Sequence, residues 1–176
     1  MPSVFFIMLI VSINAYPQIT KGNWLLSGSA SFSRLQSSSQ ASVQYKQTDF
    51  QISSSVGYFL MDKFAVGLKP SLLYGSNNVG NSSKVITIGP FARYYFLKPE
   101  NIFNLFSEGA YGYGIFGGGQ KSNTFSVAAG PVLYFNSSVG LEFTIGYSTT
   151  KFVGFSGSNN LMLVGIGLQF HLEKDE

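Results

Sequence analysis

The 176-residue chain contains no cysteine, which excludes disulfide scaffolds, thiolate metal sites, cysteine nucleophiles and a lipid-anchored N-terminal cysteine. Charge is scarce. Asp, Glu, Lys and Arg make up 11% of the residues, where a soluble domain carries about 25%, so something other than water covers part of the surface. A net charge of +3 is too small to argue for nucleic acid. Long apolar runs are missing too: the longest, residues 4–11, has eight residues, against the roughly 18 to 20 that a transmembrane helix requires. A single histidine rules out a histidine-rich metal site. In place of these the chain has 16% aromatic residues, 20 glycines and a mean hydropathy of +0.18.

The apolar run VFFIMLIV has the length of a signal-peptide core, and Ala15 places a small residue before Tyr16, so residues 1–15 are expected to be an export signal. No Lys or Arg precedes it, and the alternative is a first strand or buried helix of the mature fold. Residues 16–22 then form a short N-terminal segment, 23–172 the folded domain, and 173–176 a charged tail.

From Asn23 onward polarity alternates with period two, the signature of strands with unlike faces. Strand one sets Trp24, Leu26, Gly28, Ala30 and Phe32 against Leu25, Ser27, Ser29, Ser31 and Ser33, and seven further segments repeat the scheme up to Phe170. Connections alternate as well: three short ones, at residues 61–63, 97–101 and 136–138, and four long Ser/Gly/Asn-rich ones, at 36–48, 76–84, 115–123 and 149–160. This arrangement predicts an all-β chain, an eight-stranded antiparallel up-and-down barrel.

The less apolar face is mostly Gly, Ser and Ala, which suits a narrow interior, so the large apolar residues are expected to point outward into lipid. Outward aromatics cluster at strand ends. Trp24, Tyr58, Phe64, Tyr94, Phe96, Phe103, Phe135 and Phe170 form an expected lower ring, and Phe32, Phe50, Tyr74, Tyr111, Tyr113, Phe125 and Tyr147 an upper one. Pro70, Pro90 and Pro131 fall inside strands, where each removes a ladder donor; a bulge or kink is expected there.

With Gly-Asn-Trp opening strand one, Ser-Val-Gly-Tyr-Phe-Leu closing strand two, Ala-Val-Gly-Leu in strand three and Gly-Pro-Phe-Ala-Arg-Tyr-Tyr-Phe in strand four, residues 22–172 resemble the outer-membrane β-barrel domain family of Gram-negative bacteria, including its small eight-stranded OmpA- and OmpX-type members. The resemblance implies an exported outer-membrane protein, with long loops extracellular and short turns periplasmic. It also implies recognition of a terminal-strand aromatic, matched by Phe170, by the barrel-assembly machinery.

The charges sort by face. Lys69, Arg93, Glu108 and Glu142 have lumen parity and sum to zero, an expected ion-pair network that fills the interior, with Gln51, Tyr95, Asn104 and Gln169 available to complete its hydrogen bonds. The rival reading is a polar constriction in a water-filled pore. Arg34, Lys46, Lys84, Lys121 and Lys151, against Asp49 alone, form an external basic rim that would attract lipid headgroups or lipopolysaccharide phosphates, or merely solvate the loops.

Chemistry is sparse. The Gly112 to Gly117 run matches GxGxxG but leaves a strand without a following helix. His171 has lumen parity, which favours a polar plug over a Ser-His-acid site facing lipid, for which Ser55 or Glu142 would be partners. The sequence therefore predicts a monomeric, non-enzymatic barrel without cofactor, metal or nucleic-acid partner, set in outer-membrane lipid and lipopolysaccharide, with an envelope-structural or surface-interaction role. A narrow porin-like channel is the alternative, and a lipid-modifying enzyme the third reading.

Overall fold

The computed structural model describes residues 19–38, 44–78, 82–117, 119–154 and 156–172. The expected signal segment 1–15 and the tail 173–176 lie outside the described residues. Ten strands follow one another along the chain: β1 Trp24–Ser38, β2 Gln44–Met61, β3 Phe64–Leu68, β4 Ser71–Asn77, β5 Ser82–Ile88, β6 Pro90–Tyr95, β7 Phe103–Phe116, β8 Lys121–Tyr134, β9 Val139–Phe152 and β10 Asn159–Leu172. Two pairs of these are halves of single crossings. β3 and β4 both pair with β2, and β5 and β6 both pair with β7, in unbroken register on either side of Lys69-Pro70 and of Gly89. Since β1 pairs with both β2 and β10, the result is a closed eight-strand ring.

Register fixes the shape of that ring. Following partners from His171 through Leu25, Gly57, Gly67, Phe91, Ala110, Ser126 and Ser148 returns to β10 at Leu161, ten residues displaced (171 − 161). A ten-residue stagger, with about 3.3 Å of rise per residue and eight strands about 4.8 Å apart, tilts the strands by about 41°. Each residue then climbs about 2.5 Å along the barrel axis, so the eight steps from Trp24 to Phe32 cover about 20 Å.

The parity assignment is realised residue by residue. Phe32, Ile52, Ile86, Ile145 and Val164 are 50–66% exposed on the outer face, while their neighbours in sequence turn into the lumen. The lumen itself is graded. Toward the loop end it is lined mostly by Ser, Thr and Gly, with Val85 and Asp49 buried among them; toward the turn end it is packed with Leu25, Phe59, Phe91, Tyr95, Phe106, Val132 and Tyr134, large side chains where small ones were expected.

Two further expectations are corrected. The four long connections shrink to residues 39–43, 78–81, 117–120 and 153–158, because their Ser, Thr and Gln residues continue the ladders: Gln36 pairs with Lys46 and Ser76 with Ser82. The strand walls therefore reach further toward that end than the composition suggests. The prolines cause no bulge either; the recorded register shift in this wall lies between Phe59 and Met61. Instead the ladder lapses without an inserted residue. Glycine precedes Pro90 and Pro131, and the carbonyl facing each missing donor rests on that glycine, so that an added Cβ would lie 1.9 Å from the Tyr111 oxygen at Gly89 and 1.7 Å from the Phe143 oxygen at Gly130.

The seam between β1 and β10 is only partly closed. It pairs from Trp24–Leu172 to Ser31–Gly165, and beyond that β1 continues only with β2 and β10 only with β9.

Gly89→Ala should lower barrel stability by roughly 1–3 kcal/mol or more, whereas Gly109→Ala, whose Cβ meets nothing within 4 Å, should stay within about 0.5 kcal/mol of wild type; urea titration of the refolded protein measures both. Ile166→Arg, on the outer face five residues below Leu161, should cost roughly 2–4 kcal/mol in lipid vesicles, and full tolerance would overturn the outward assignment.

Candidate functional site: the closed lumen

The lumen charges stand where four separate strands bring them to one level. Arg93 on β6 pairs in register with Glu108 on β7, Glu142 on β9 pairs with Val132 and Gly167, and Lys69 sits at the β3–β4 junction. Arg93 is the hub. Its Nε donates to Glu108 Oε2 at 2.8 Å, its Nη2 lies 2.7 Å from the same oxygen, and its Nη1 donates to Glu142 Oε2 at 2.8 Å. Lys69 Nζ bonds the second oxygen of Glu108. Beneath, the guanidinium carbon stacks 4.3 Å from the centroid of Phe106. Two cations and two carboxylates thus share one chain of contacts, and the charges cancel.

Hydrogen bonds carry that chain downward. Gln169 Nε2 donates to Glu142 Oε2 at 2.6 Å, Tyr95 OH donates to Gln169 Oε1 at 2.8 Å, and His171 Nε2 lies 3.2 Å from that same oxygen. Tyr95 and Gln169 therefore join the network. Asn104 does not; it is spent on the adjacent turn, accepting from the Leu97 and Leu105 amides and donating to the Lys98 carbonyl. Gln51 pairs with Ser31 and Leu73 on a level nearer the loops. Gly167 leaves room for the network, since a Cβ there would come within 2.9 Å of Glu142 Oε1.

Below the charges lies an aromatic floor. His171 is fully buried, its ring 5.5 Å from Phe59, 5.4 Å from Tyr134 and 6.3 Å from Tyr95. The segment before β1 seals the opening: Ile19 is fully buried in this cluster, the Lys63 amide donates to the Ile19 carbonyl at 2.9 Å, the Gly22 amide to Phe59 at 2.9 Å, and the Lys21 amide to Asp62 Oδ1 at 2.9 Å. Neither Ile19 nor Phe59 is marked by sequence reasoning. Continuing the β2 alternation beyond Gly57 would have found Phe59, whereas Ile19 precedes any period.

The basic residues take a different place. Lys84, Lys121 and Lys151 are exposed, at the loop-end reaches of β5, β8 and β9, and all have outward parity. Arg34 and Lys46 occupy outward positions on β1 and β2, while their side chains lie outside the described residues. Asp49 is a correction to the rim: it is buried and faces the lumen, its Oδ1 and Ser83 Oγ filling the space a Cβ of Gly75 would take. The Gly112 to Gly117 run ends β7 and enters a hairpin turn, with no phosphate-binding helix start.

Removing Arg93 leaves two buried carboxylates facing each other, so Arg93→Ala should cost about 3–5 kcal/mol. Lys69, whose side chain retains 24% exposure, should cost no more than about 1 kcal/mol as Lys69→Ala; equilibrium urea unfolding ranks the two.

By sequence, no protein-family model and no curated protein matches the chain. Solved structures match by fold. Neisserial surface protein A superposes with a TM-score of 0.59 at 16% identity, over 85% of this chain and 97% of that one. The outer membrane protein OprG from Pseudomonas aeruginosa gives 0.57 at 14%, over 88% and 98%, and the outer membrane enzyme PagL 0.50 at 11%, over 85% and 99%. Enzymes and other barrels thus share this scaffold, so activity has to be argued from side chains. The chain has the fold of the small eight-stranded outer-membrane β-barrels.

Proposed function

We propose that the protein is a non-enzymatic barrel of the outer membrane whose lumen is closed, and whose role is exercised by its outer wall and its projecting strand ends, in envelope structure or surface interaction. The observation that carries this reading is the double stopper: Arg93 clamped between Glu108 and Glu142 at 2.7–2.8 Å, above an aromatic floor sealed by Ile19. A solute path would have to open both layers. Separating Arg93 from either carboxylate leaves a buried charge uncompensated, which is the costliest rearrangement the lumen offers. The apolar outer face between two aromatic rings about 20 Å apart matches the band such barrels present to lipid.

His171 supports the same reading. Its Nε2 lies against the Gln169 side chain and its ring among three aromatics, inside the floor and away from the outer face where a lipid substrate would lie. His171→Ala should therefore leave lipid A composition unchanged in an expressing strain.

Planar-bilayer recording separates a closed barrel from a channel. The folded wild-type protein should be silent; steady, ion-selective steps that change with Glu108→Ala would make it a narrow pore and overturn the proposal.

A further inference from the structure

The outer wall is not evenly covered. Where β6 meets β7, Ala92 pairs with Gly109, and Pro90 lies two residues before Ala92, at the start of β6, so three neighbouring outward positions carry small side chains or none. A Cβ on Gly109 would meet nothing within 4 Å. Larger side chains stand on either side: Leu68, paired with Pro90, and Tyr111, paired with Phe125. The outcome is a groove of about 610 Å³ on the outside of the barrel. It starts at Val66, two residues above Phe64 of the lower ring, and ends at Tyr111 and Phe125 of the upper ring, so its whole length lies in the apolar band.

Above its upper end stand two cations. Lys121 lies four residues beyond Phe125 on β8, about 10 Å higher, and Lys84 six residues beyond Pro90, about 15 Å higher. They flank the end of β7, because the Gly117 amide donates to the Lys84 carbonyl at 3.0 Å and Lys121 pairs with Ile115. Both are exposed. Among the described residues the only carboxylate at this end is Asp49, which faces the lumen. An apolar channel at acyl depth beneath an uncompensated cation pair is complementary to one kind of molecule.

We propose that this groove is a specific lipid site: it seats an acyl chain of a phosphorylated outer-leaflet glycolipid, with Lys84 and Lys121 holding the phosphate. The site rests on the reading of the chain as an outer-membrane barrel. Within the band only lipid or another spanning segment reaches the groove, and the lysines above it select a lipid that carries negative charge.

Native mass spectrometry of the detergent-folded full chain, titrated with bisphosphorylated lipid A, tests this. Wild type should retain one lipid A and should bind its dephosphorylated form and a zwitterionic phospholipid far more weakly. Gly109→Leu fills the groove where there is room for it, and Lys84→Gln with Lys121→Gln removes the cations; each change should weaken retention by about tenfold. Gly28→Leu, at another outward glycine whose Cβ meets nothing within 4 Å, should bind as wild type does. Equal retention by the Gly109 and Gly28 variants, or equal binding of the dephosphorylated lipid, overturns the site, as does displacement of lipid A by inorganic phosphate alone. Should Gly109→Leu fail to fold, the lysine pair variant decides. Heat-modifiable gel migration checks the underlying reading separately: a wild-type chain with no heat-modifiable form removes the membrane barrel and the site together, whereas folded barrel without lipid selectivity removes the site alone.

Discussion

Backbone hydrogen bonding governs this molecule. An outer surface made of Phe, Ile, Val and Leu is at home in hydrocarbon, and there each peptide group must find a partner within the protein or lose several kcal/mol. Ring closure satisfies that demand for eight strands together, and the ten-residue stagger that closure takes here sets tilt, diameter and the width of the lumen. The interior follows from the width. Eight tilted strands leave a bore too narrow for a wide aqueous channel and too wide for Ser and Gly alone, so large side chains have to enter it.

How the bore is filled depends on depth. Aromatic rings and Ile19 occupy the turn end, where they exclude water and leave few polar atoms to satisfy. Tyr95, Gln169 and His171 form the transition, presenting ring faces below and hydrogen-bonding atoms above. Arg93 comes next, with its planar fork divided between two carboxylates and its face on Phe106, a geometry that a lysine at this position would not reproduce. Lys69, nearest the hydroxyl-lined part, is the one member of the cluster with appreciable exposure. Polarity therefore rises toward the loop end in step with access to water.

Most of this architecture was legible in the sequence, because period two is a direct consequence of strand geometry. Trp24 against Leu25, or Tyr94 against Tyr95, can be assigned to faces without any knowledge of neighbours. The charge cluster was legible for the same reason: Lys69, Arg93, Glu108 and Glu142 share lumen parity at similar depth. Contacts between particular atoms were not. Asn104 has the right parity for the network, yet the turn at Leu97 captures it. Asp49, read as part of the rim, turns inward because the strand continues past the point where its composition resembles a loop. Ile19 escapes because its place depends on three-dimensional proximity to Phe59 and Lys63, not on any period. The groove beside Gly109 likewise needs two strands in register before three small residues become one concavity.

The partly closed seam has a consequence for how the chain folds. Counting β3 with β4 and β5 with β6 as single crossings, every other ladder in the ring joins crossings consecutive along the chain, so each can form as a hairpin, with little entropy lost in bringing its halves together. β1 and β10 instead meet across nearly the whole described sequence, from Trp24 to Leu172, and only eight residue pairs hold them. Such a long-range closure is the slow event expected of a β topology. Until it happens the molecule is a curved sheet with two open edges. Its eight pairs also make this closure the shortest ladder of the ring, next to the nine that join β5 and β6 to β7.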